Sequence, residues 1–254
     1  MKKKQIVNTP QHNIIFNEDC LEGMKSLPDN SIDMILCDLP YGTTQCKWDS
    51  IIPFDKLWEQ FHRVIKKNGV MALTASQPFT SFVVRSNVKN FKYSWIWEKS
   101  KATGYLNAKK RPMNAHEDVL IFSKGTPRYF PQMTNGEPYN KGKAHRPTDV
   151  YGKQKSVLVE DKKGIRYPRS VQYFKTAESE GEVIHPTQKP ISLFEYLIRT
   201  YSLENEIILD ACMGSGSTAI ACINTNRKYI GYELDTKYYN DSLTRISNSA
   251  KDKK

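Results

Sequence analysis

The chain of 254 residues carries 38 lysines and arginines against 27 aspartates and glutamates, a formal charge of +11, with 39% hydrophobic and 26% charged residues. That length buries a full core with room for an inserted module, and no apolar run reaches membrane-spanning length. The charge favours a polyanionic partner, nucleic acid first; five cysteines without C-x-x-C spacing or zinc-type pairing with the histidines argue against a disulfide framework or a metal site and fit a reducing cytosol.

In chain order, Ile14-Ile15-Phe16 reads as a strand, Cys20 to Ser26 as a helix, Pro28 to Ser31 as a turn and Ile32 to Cys37 as a buried strand. Asp38-Leu39-Pro40-Tyr41-Gly42 then stands at the carboxyl end of that strand, where open α/β sheets hold ligands. Pro40 lacks an N–H and fixes its own φ, and Gly42 permits a turn closed to other residues, so an acid and a ring are presented on a stiff loop. The Asp38 carboxylate and the Leu39 carbonyl can accept the hydrogens of an amino group on a planar base, and Tyr41 can stack on it. Taken alone, the tetrapeptide reads first as a strand ending in a turn.

Phe54 to Lys66 carries a helical apolar face closed by Asn68-Gly69, and Val70 to Thr74 is a buried strand. Gln77-Pro78 opens a helix through Val84, Tyr93 to Trp97 alternates as a strand does, and Val119 to Phe122 is a further strand. Strands alternating with helices imply a doubly wound, mainly parallel sheet. Trp95 and Trp97 read as core and pocket wall, and His116-Glu117 as the start of a strand with satisfied side chains.

The pattern stops near Lys124. From 124 to 183 the chain is rich in Gly, Pro and basic residues, among them Arg128, Lys141, Lys143, Arg146, Lys153, Lys155, Lys162, Lys163, Arg166, Arg169 and Lys175, interleaved with seven aromatics including Tyr139, Tyr151, Tyr167 and Tyr173. A bare loop of this length is foreign to a compact domain. The segment reads as an inserted module in which cations meet phosphates and flat rings stack on bases; the other reading is a solvated insertion without specificity. Lysines at both ends, Lys2 to Lys4 and Lys251, Lys253 and Lys254, read as solubilising tails.

Beyond it, His185-Pro186-Thr187-Gln188-Lys189-Pro190 leads into a helix with Leu193, Phe194, Leu197 and Ile198 on one face, followed by a strand Ile207 to Asp210. Gly214-Ser215-Gly216-Ser217-Thr218-Ala219 matches G-x-G-x-x-A, and Glu233 ends the next strand, Tyr229 to Glu233; a last helix starts at Asp235. Here the backbone can approach a ligand, a helix N-terminus favours an anionic group, and the second acid can accept ribose hydroxyls. Only one strand–helix–strand unit and a final helix follow Asp210, so the N-terminal half must complete the sheet. The strands ending at Asp38 and Asp210 would then be neighbours opening on one crevice.

With both motifs and H-P-T-Q-K-P in this order, the sequence resembles the beta group of DNA amino-methyltransferases, in which the catalytic loop precedes the cofactor loop. The resemblance runs from about Asn17 to Glu233 apart from the insertion. It implies a Rossmann-like methyltransferase fold in permuted order: 1–123 as the catalytic part, 124–183 as an inserted target-recognition region and 184–254 as the cofactor part. It further implies S-adenosylmethionine as cofactor and double-stranded DNA as substrate, with adenine N6 as the target. Asp38, Leu39, Pro40 and Tyr41 would grip the target base. Asp19, Asp210, Cys212, Gly214, Ser215, Gly216, Thr218 and Glu233 would hold the cofactor, with Thr187, Gln188 and Lys189 near its methionine end. A cytoplasmic enzyme with a companion restriction nuclease, or a homodimer, is compatible with it. Leu39 stands where the family carries Pro, and Cys212 where an aromatic is common. Cytosine N4, RNA as substrate, a catalytically silent DNA-binding module and an oxidoreductase are the competing readings; Lys189 could instead solvate a helix start, and His185 could be structural.

Overall fold

A computed structural model describes residues 10–43, 46, 49–144 and 157–251. The lysines of the two tails, apart from the backbone of Lys251, and Arg146, Tyr151, Lys153 and Lys155 lie outside the described residues. The chain forms two compact units. The first comprises residues 1–130 and 170–254, the second Pro131–Arg169.

The first unit is built on an eight-stranded sheet. Its strands are β1 (Ile14–Phe16), β2 (Ile32–Asp38), β3 (Ile65–Ala75), β4 (Phe91–Thr103), β5 (Asn114–Phe122), β10 (Val171–Phe174), β11 (Ile207–Asp210) and β12 (Lys228–Tyr232). Their spatial order is β1-β12-β11-β2-β3-β5-β4-β10. β5 runs antiparallel to both its neighbours, and every other pairing is parallel.

Both faces are covered, as a mainly parallel sheet requires. Side chains alternate across β2: Ile35 and Cys37 join one core with Leu57 and Phe61 of α2 (Phe54–Val64) and Phe79 of α3 (Phe79–Ser86). Met34 and Leu36 join the other, with Leu193 and Leu197 of α4 (Ile191–Tyr201) and Ile220 of α5 (Ser217–Asn224). A short α1 (Cys20–Met24) and the last helix, α6 (Thr236–Lys251), complete the layers.

From β2 the chain moves outward one way and from β11 the other, so the β2–β11 pair is the topological switch point of the sheet. The adjacency expected for the strands ending at Asp38 and Asp210 is present. β1 pairs with β12 through Ile14↔Ile230 and Phe16↔Tyr232, which closes the N-terminus onto the C-terminal half.

Several boundaries differ from the sequence reading. α2 ends at Val64 and β3 begins at Ile65, so Asn68-Gly69 does not close the helix. Residues 66–69 instead form an irregularity of β3, beside which Asp33 takes the Lys66 ammonium at 2.6 Å and the Ile207 N–H at 3.1 Å. β4 and β5 both extend beyond their apolar stretches, because their ends carry charged side chains that hydrophobic periodicity does not register.

The expected insertion over 124–183 is also wider than the observed second unit. Val171–Phe174 pairs in parallel with Ile96–Lys99 as the sheet's last strand, although Val171 and Tyr173 point to solvent and give it no apolar run. Within Pro131–Arg169, β6 (Thr134–Asn135) pairs with β9 (Ile165–Arg166), and β7 (Tyr139–Ala144) pairs with β8 (Val157–Asp161). The Arg166 guanidinium covers the Tyr139 ring at 4.6 Å.

Candidate active site

One cavity of about 650 Å³ opens at the switch point, within the range of small-molecule sites. Asp38, Leu39, Pro40 and Tyr41 line it from the β2 side, and Asp210, Cys212, Gly214, Ser215 and Glu233 from the β11–β12 side. Asp19 and the segment Thr187, Gln188 and Lys189 complete the wall. Gly216 and Thr218 are set back from it. Gly216, at φ +78, has its would-be Cβ 3.1 Å from Ile246 of α6, and Thr218 is buried with its hydroxyl donating to Asp210 at 2.5 Å.

The Asp38 carboxylate is held at three points. Its Oδ1 accepts the Tyr41 hydroxyl at 3.0 Å and the Thr74 hydroxyl, and its Oδ2 takes the Lys189 ammonium at 2.7 Å. Tyr41 stacks on Phe79 with ring centroids 4.9 Å apart. The loop beyond is fixed by Asp49, which accepts the N–H groups of Gly42 and Thr43 at 2.8 and 2.9 Å. Burial, with Asp38 and Glu117 nearby, pushes the Tyr41 phenol up, so it stays a donor.

Behind this carboxylate lies a second pair. Glu117 sits 3.5 Å from Lys189 and 3.3 Å from Lys99, so two acids and two lysines form a neutral, largely buried chain. Burial acts most strongly on Lys189 and favours its neutral form, but Asp38 and Glu117 outweigh it, and the lysine's pKa is raised. Lys189 therefore does not solvate a helix start, and Glu117 is not merely the beginning of a strand. Lys99 and Thr74 carried no expectation. The signal for Lys99 was periodicity: Trp95, Trp97 and Lys99 share the buried face of β4, and a lysine there demands a partner. Glu117 is the cross-strand neighbour of Trp97 on that face.

On the cofactor side, Gly214 has φ +52, and a Cβ there would meet nothing nearer than 3.9 Å, so the backbone itself is offered to the cavity. Its N–H donates to Glu233 Oε2 at 2.8 Å, and the Asp235 N–H donates to Oε1 at 2.8 Å. Burial raises the Glu233 carboxyl above its ordinary value against the pull of those donors. Asp19 caps α1 by accepting from Leu21 at 2.8 Å. Gln188 ties its own turn together by accepting the Ile184 N–H and donating to the Glu182 carbonyl, both at 3.2 Å. Thr187 donates its N–H to His185 Nδ1 at 3.3 Å, and burial lowers that imidazole, which is neutral at pH 7. The Cys212 thiol meets those of Cys20 and Cys37, contacts that together with burial keep it protonated.

Asp210 organises the turn beneath, accepting the Cys212 N–H at 3.0 Å. Burial raises its pKa from 3.8 to about 6 despite the bonds from Thr218, Cys212 and Cys37. A raised acid stabilises the fold in its protonated form: that stability is complete below the ordinary value of 3.8 and is lost as pH rises through about 6. Relative to Asp210→Asn, the wild-type chain is expected to lose up to about 3 kcal/mol across that window, read by urea unfolding at several pH values. Parallel stability curves for the two proteins would contradict this.

The lining carries eight carboxylates, including Glu18, Asp19, Asp38 and Glu233, against two lysines, both already paired with acids. Such a crevice within a chain of net charge +11 suits a nucleoside whose reactive centre is a cation, and it opposes a pyrophosphate. S-adenosylmethionine, with its sulfonium, ammonium and ribose hydroxyls, fits this donor and acceptor set.

An open α/β sheet with such a crevice at its switch point fits the methyltransferase class. A family model described as DNA methylase, of the N6/N4 type, matches residues 32–244, and the chain belongs to that family. It is similar to the type II methyltransferase M.HpaI of Haemophilus parainfluenzae, 26% identical over 242 residues that cover 90% of this chain and 72% of that one. It is also similar to the DNA adenine methyltransferase YhdJ of Escherichia coli K12, 28% identical over 253 residues, 91% of this chain and 82% of that one.

Among solved structures, the M1.HpyAVI–SAM complex superposes with a TM-score of 0.63 at 23% identity, covering 91% of this chain and 98% of that one. The cytosine-N4-specific PvuII DNA methyltransferase superposes with a TM-score of 0.67 at 16% identity, covering 95% and 92%. The chain is an S-adenosylmethionine-dependent DNA amino-methyltransferase, acting on adenine N6 or cytosine N4.

Proposed function

We propose that the chain methylates the exocyclic N6 of adenine at a defined sequence in double-stranded DNA. The observation that carries this reading is the Asp38 carboxylate, pinned by Thr74, Tyr41 and Lys189 yet 19% exposed to the cavity. An amino group presented there meets that carboxylate and the Leu39 carbonyl as acceptors. Accepting its hydrogens would raise the electron density on nitrogen and stabilise the positive charge it carries on taking up a methyl group, until one of those hydrogens leaves as a proton. The acid at the head of the loop favours adenine, as does similarity to a DNA adenine methyltransferase.

The bound cofactor supplies an electrophilic methyl group. Glu233 would accept its ribose hydroxyls, Asp19 would contact its adenine, and Gly214, Ser215 and Cys212 would form the floor, with Gly216, Thr218 and Asp210 shaping that floor from behind. Thr187, Gln188 and Lys189 border the methionine end. Holding both partners in one crevice would supply much of the catalysis. Glu233→Ala is expected to weaken cofactor binding roughly ten- to a hundredfold by calorimetry, since hydrogen bonds to a charged acceptor are lost; an unchanged affinity would remove Glu233 from the site.

The unit Pro131–Arg169 contains nine basic residues against four acidic ones and reads the target sequence from the DNA groove. Similarity to a type II methyltransferase supports a companion restriction nuclease. The test is long-read sequencing of DNA from a methylation-free host expressing the chain. Modified adenine in one recurring motif supports the proposal. Modified cytosine overturns the base assignment, and unmodified DNA overturns the proposal.

A further inference from the structure

β4 and β5 run out beyond the sheet as a hairpin whose base is part of the cavity wall. Thr103 and Asn114 face each other across that base, and both line the cavity. Between them the chain turns through Gly104, at φ +88, into a 3-10 turn over Tyr105–Asn107. The turn is ordered by its own backbone: Asn107 N–H donates to the Gly104 carbonyl at 3.0 Å, and Lys110 and Arg111 donate to that of Asn107 at 2.8 and 3.0 Å. At its tip Tyr105 is 79% and Leu106 96% exposed. No core contact explains a leucine displayed in this way. Flanking it in the chain are Lys101, 3.9 Å from Glu178, and Lys109, Lys110 and Arg111, with no acid between Lys99 and His116 in the sequence.

We propose that this hairpin is a wedge that enters the DNA duplex, with Leu106 and Tyr105 filling the stack vacated by the extruded target nucleotide while the flanking cations hold the phosphates. Three features point to DNA as the occupant. An apolar tip ringed by cations matches a polyanion with a hydrophobic interior, and apolar side chains are the groups that separate base steps. The hairpin rises from the rim of the cavity that must receive an extruded base. Its base is also coupled to the catalytic carboxylate: the Lys99 ammonium lies 3.4 Å from the Thr103 hydroxyl and 3.3 Å from Glu117, which lies 3.5 Å from Lys189, the partner of Asp38. Seating the tip therefore bears on the group that grips the amino nitrogen.

The proposal rests on the DNA methylase reading, and turnover by the unaltered chain tests that reading separately. Single-turnover transfer is measured on two duplexes bearing the methylated motif, one fully paired and one with an abasic site opposite the target base. Leu106→Ala, a change at a solvent-exposed position, is expected to slow transfer roughly tenfold or more on the paired duplex, where extrusion is costly. On the abasic duplex it is expected to stay within about twofold of the unaltered chain. Tyr105→Ala should follow the same pattern. An unchanged rate on paired DNA, or an equal loss on both duplexes, overturns the wedge.

Discussion

Asp38→Asn is expected to slow methyl transfer by roughly 10²–10³-fold while leaving cofactor affinity within about threefold of the original. The carboxylate offers acceptors only, and its two oxygens are oriented by different partners, Tyr41 and Thr74 on Oδ1 and Lys189 on Oδ2. An amide in the same place turns one acceptor into a donor. That donor faces either the Lys189 ammonium or the incoming amino group, and both are donors themselves. The defect appears in the chemical step because the contact strengthens only as charge builds on nitrogen. Single-turnover kinetics with calorimetry separates the two quantities. Transfer within tenfold of the original rate would deny Asp38 its role.

Lys189→Met is expected to lower stability by about 3–5 kcal/mol and transfer by on the order of 10²-fold. The lysine is 7% exposed and is, among the described residues, the cation in contact with Asp38, while it shares Glu117 with Lys99. Without it, Asp38 loses its ammonium partner in a largely buried site, while Glu117 keeps Lys99. The Asp38 carboxylate is then no longer oriented toward the amino hydrogens, so the loss falls on the chemical step. In the unaltered chain the lysine's pKa is raised above its ordinary 10.5. The stability it contributes is therefore present at neutral pH and lost only as pH rises through the higher folded value. Thermal unfolding and single-turnover transfer together test this. A variant with unchanged melting temperature and unchanged transfer rate would show the ion pair to be idle.

The switch point was legible because its two halves are written as short local signals. An apolar strand ending in Asp38-Leu39-Pro40-Tyr41 and a Gly-rich turn after Asp210 each carry their own backbone chemistry, and chain order alone required the two strands to be neighbours. What lies behind them was not legible. Lys99, Glu117 and Thr74 come from β4, β5 and β3, and they meet Asp38 and Lys189 only because of sheet order and register. Charged residues within strands read locally as the places where a strand ends, although Lys99 and Glu117 extend it. The strand Val171–Phe174 escaped for a related reason: an edge strand with Val171 and Tyr173 facing solvent has no apolar alternation to announce it. Lys189 does line the cavity with the other residues of its segment, but only the geometry reveals its contact with Asp38.

The most direct test of the central claim is transfer from S-adenosylmethionine carrying a trideuterated methyl group to unmethylated genomic DNA, followed by digestion to nucleosides and mass analysis. The account predicts deuterated N6-methyldeoxyadenosine from the purified chain and almost none from Asp38→Asn. Cofactor bound at one molecule per chain with no deuterated nucleoside in the digest would contradict it.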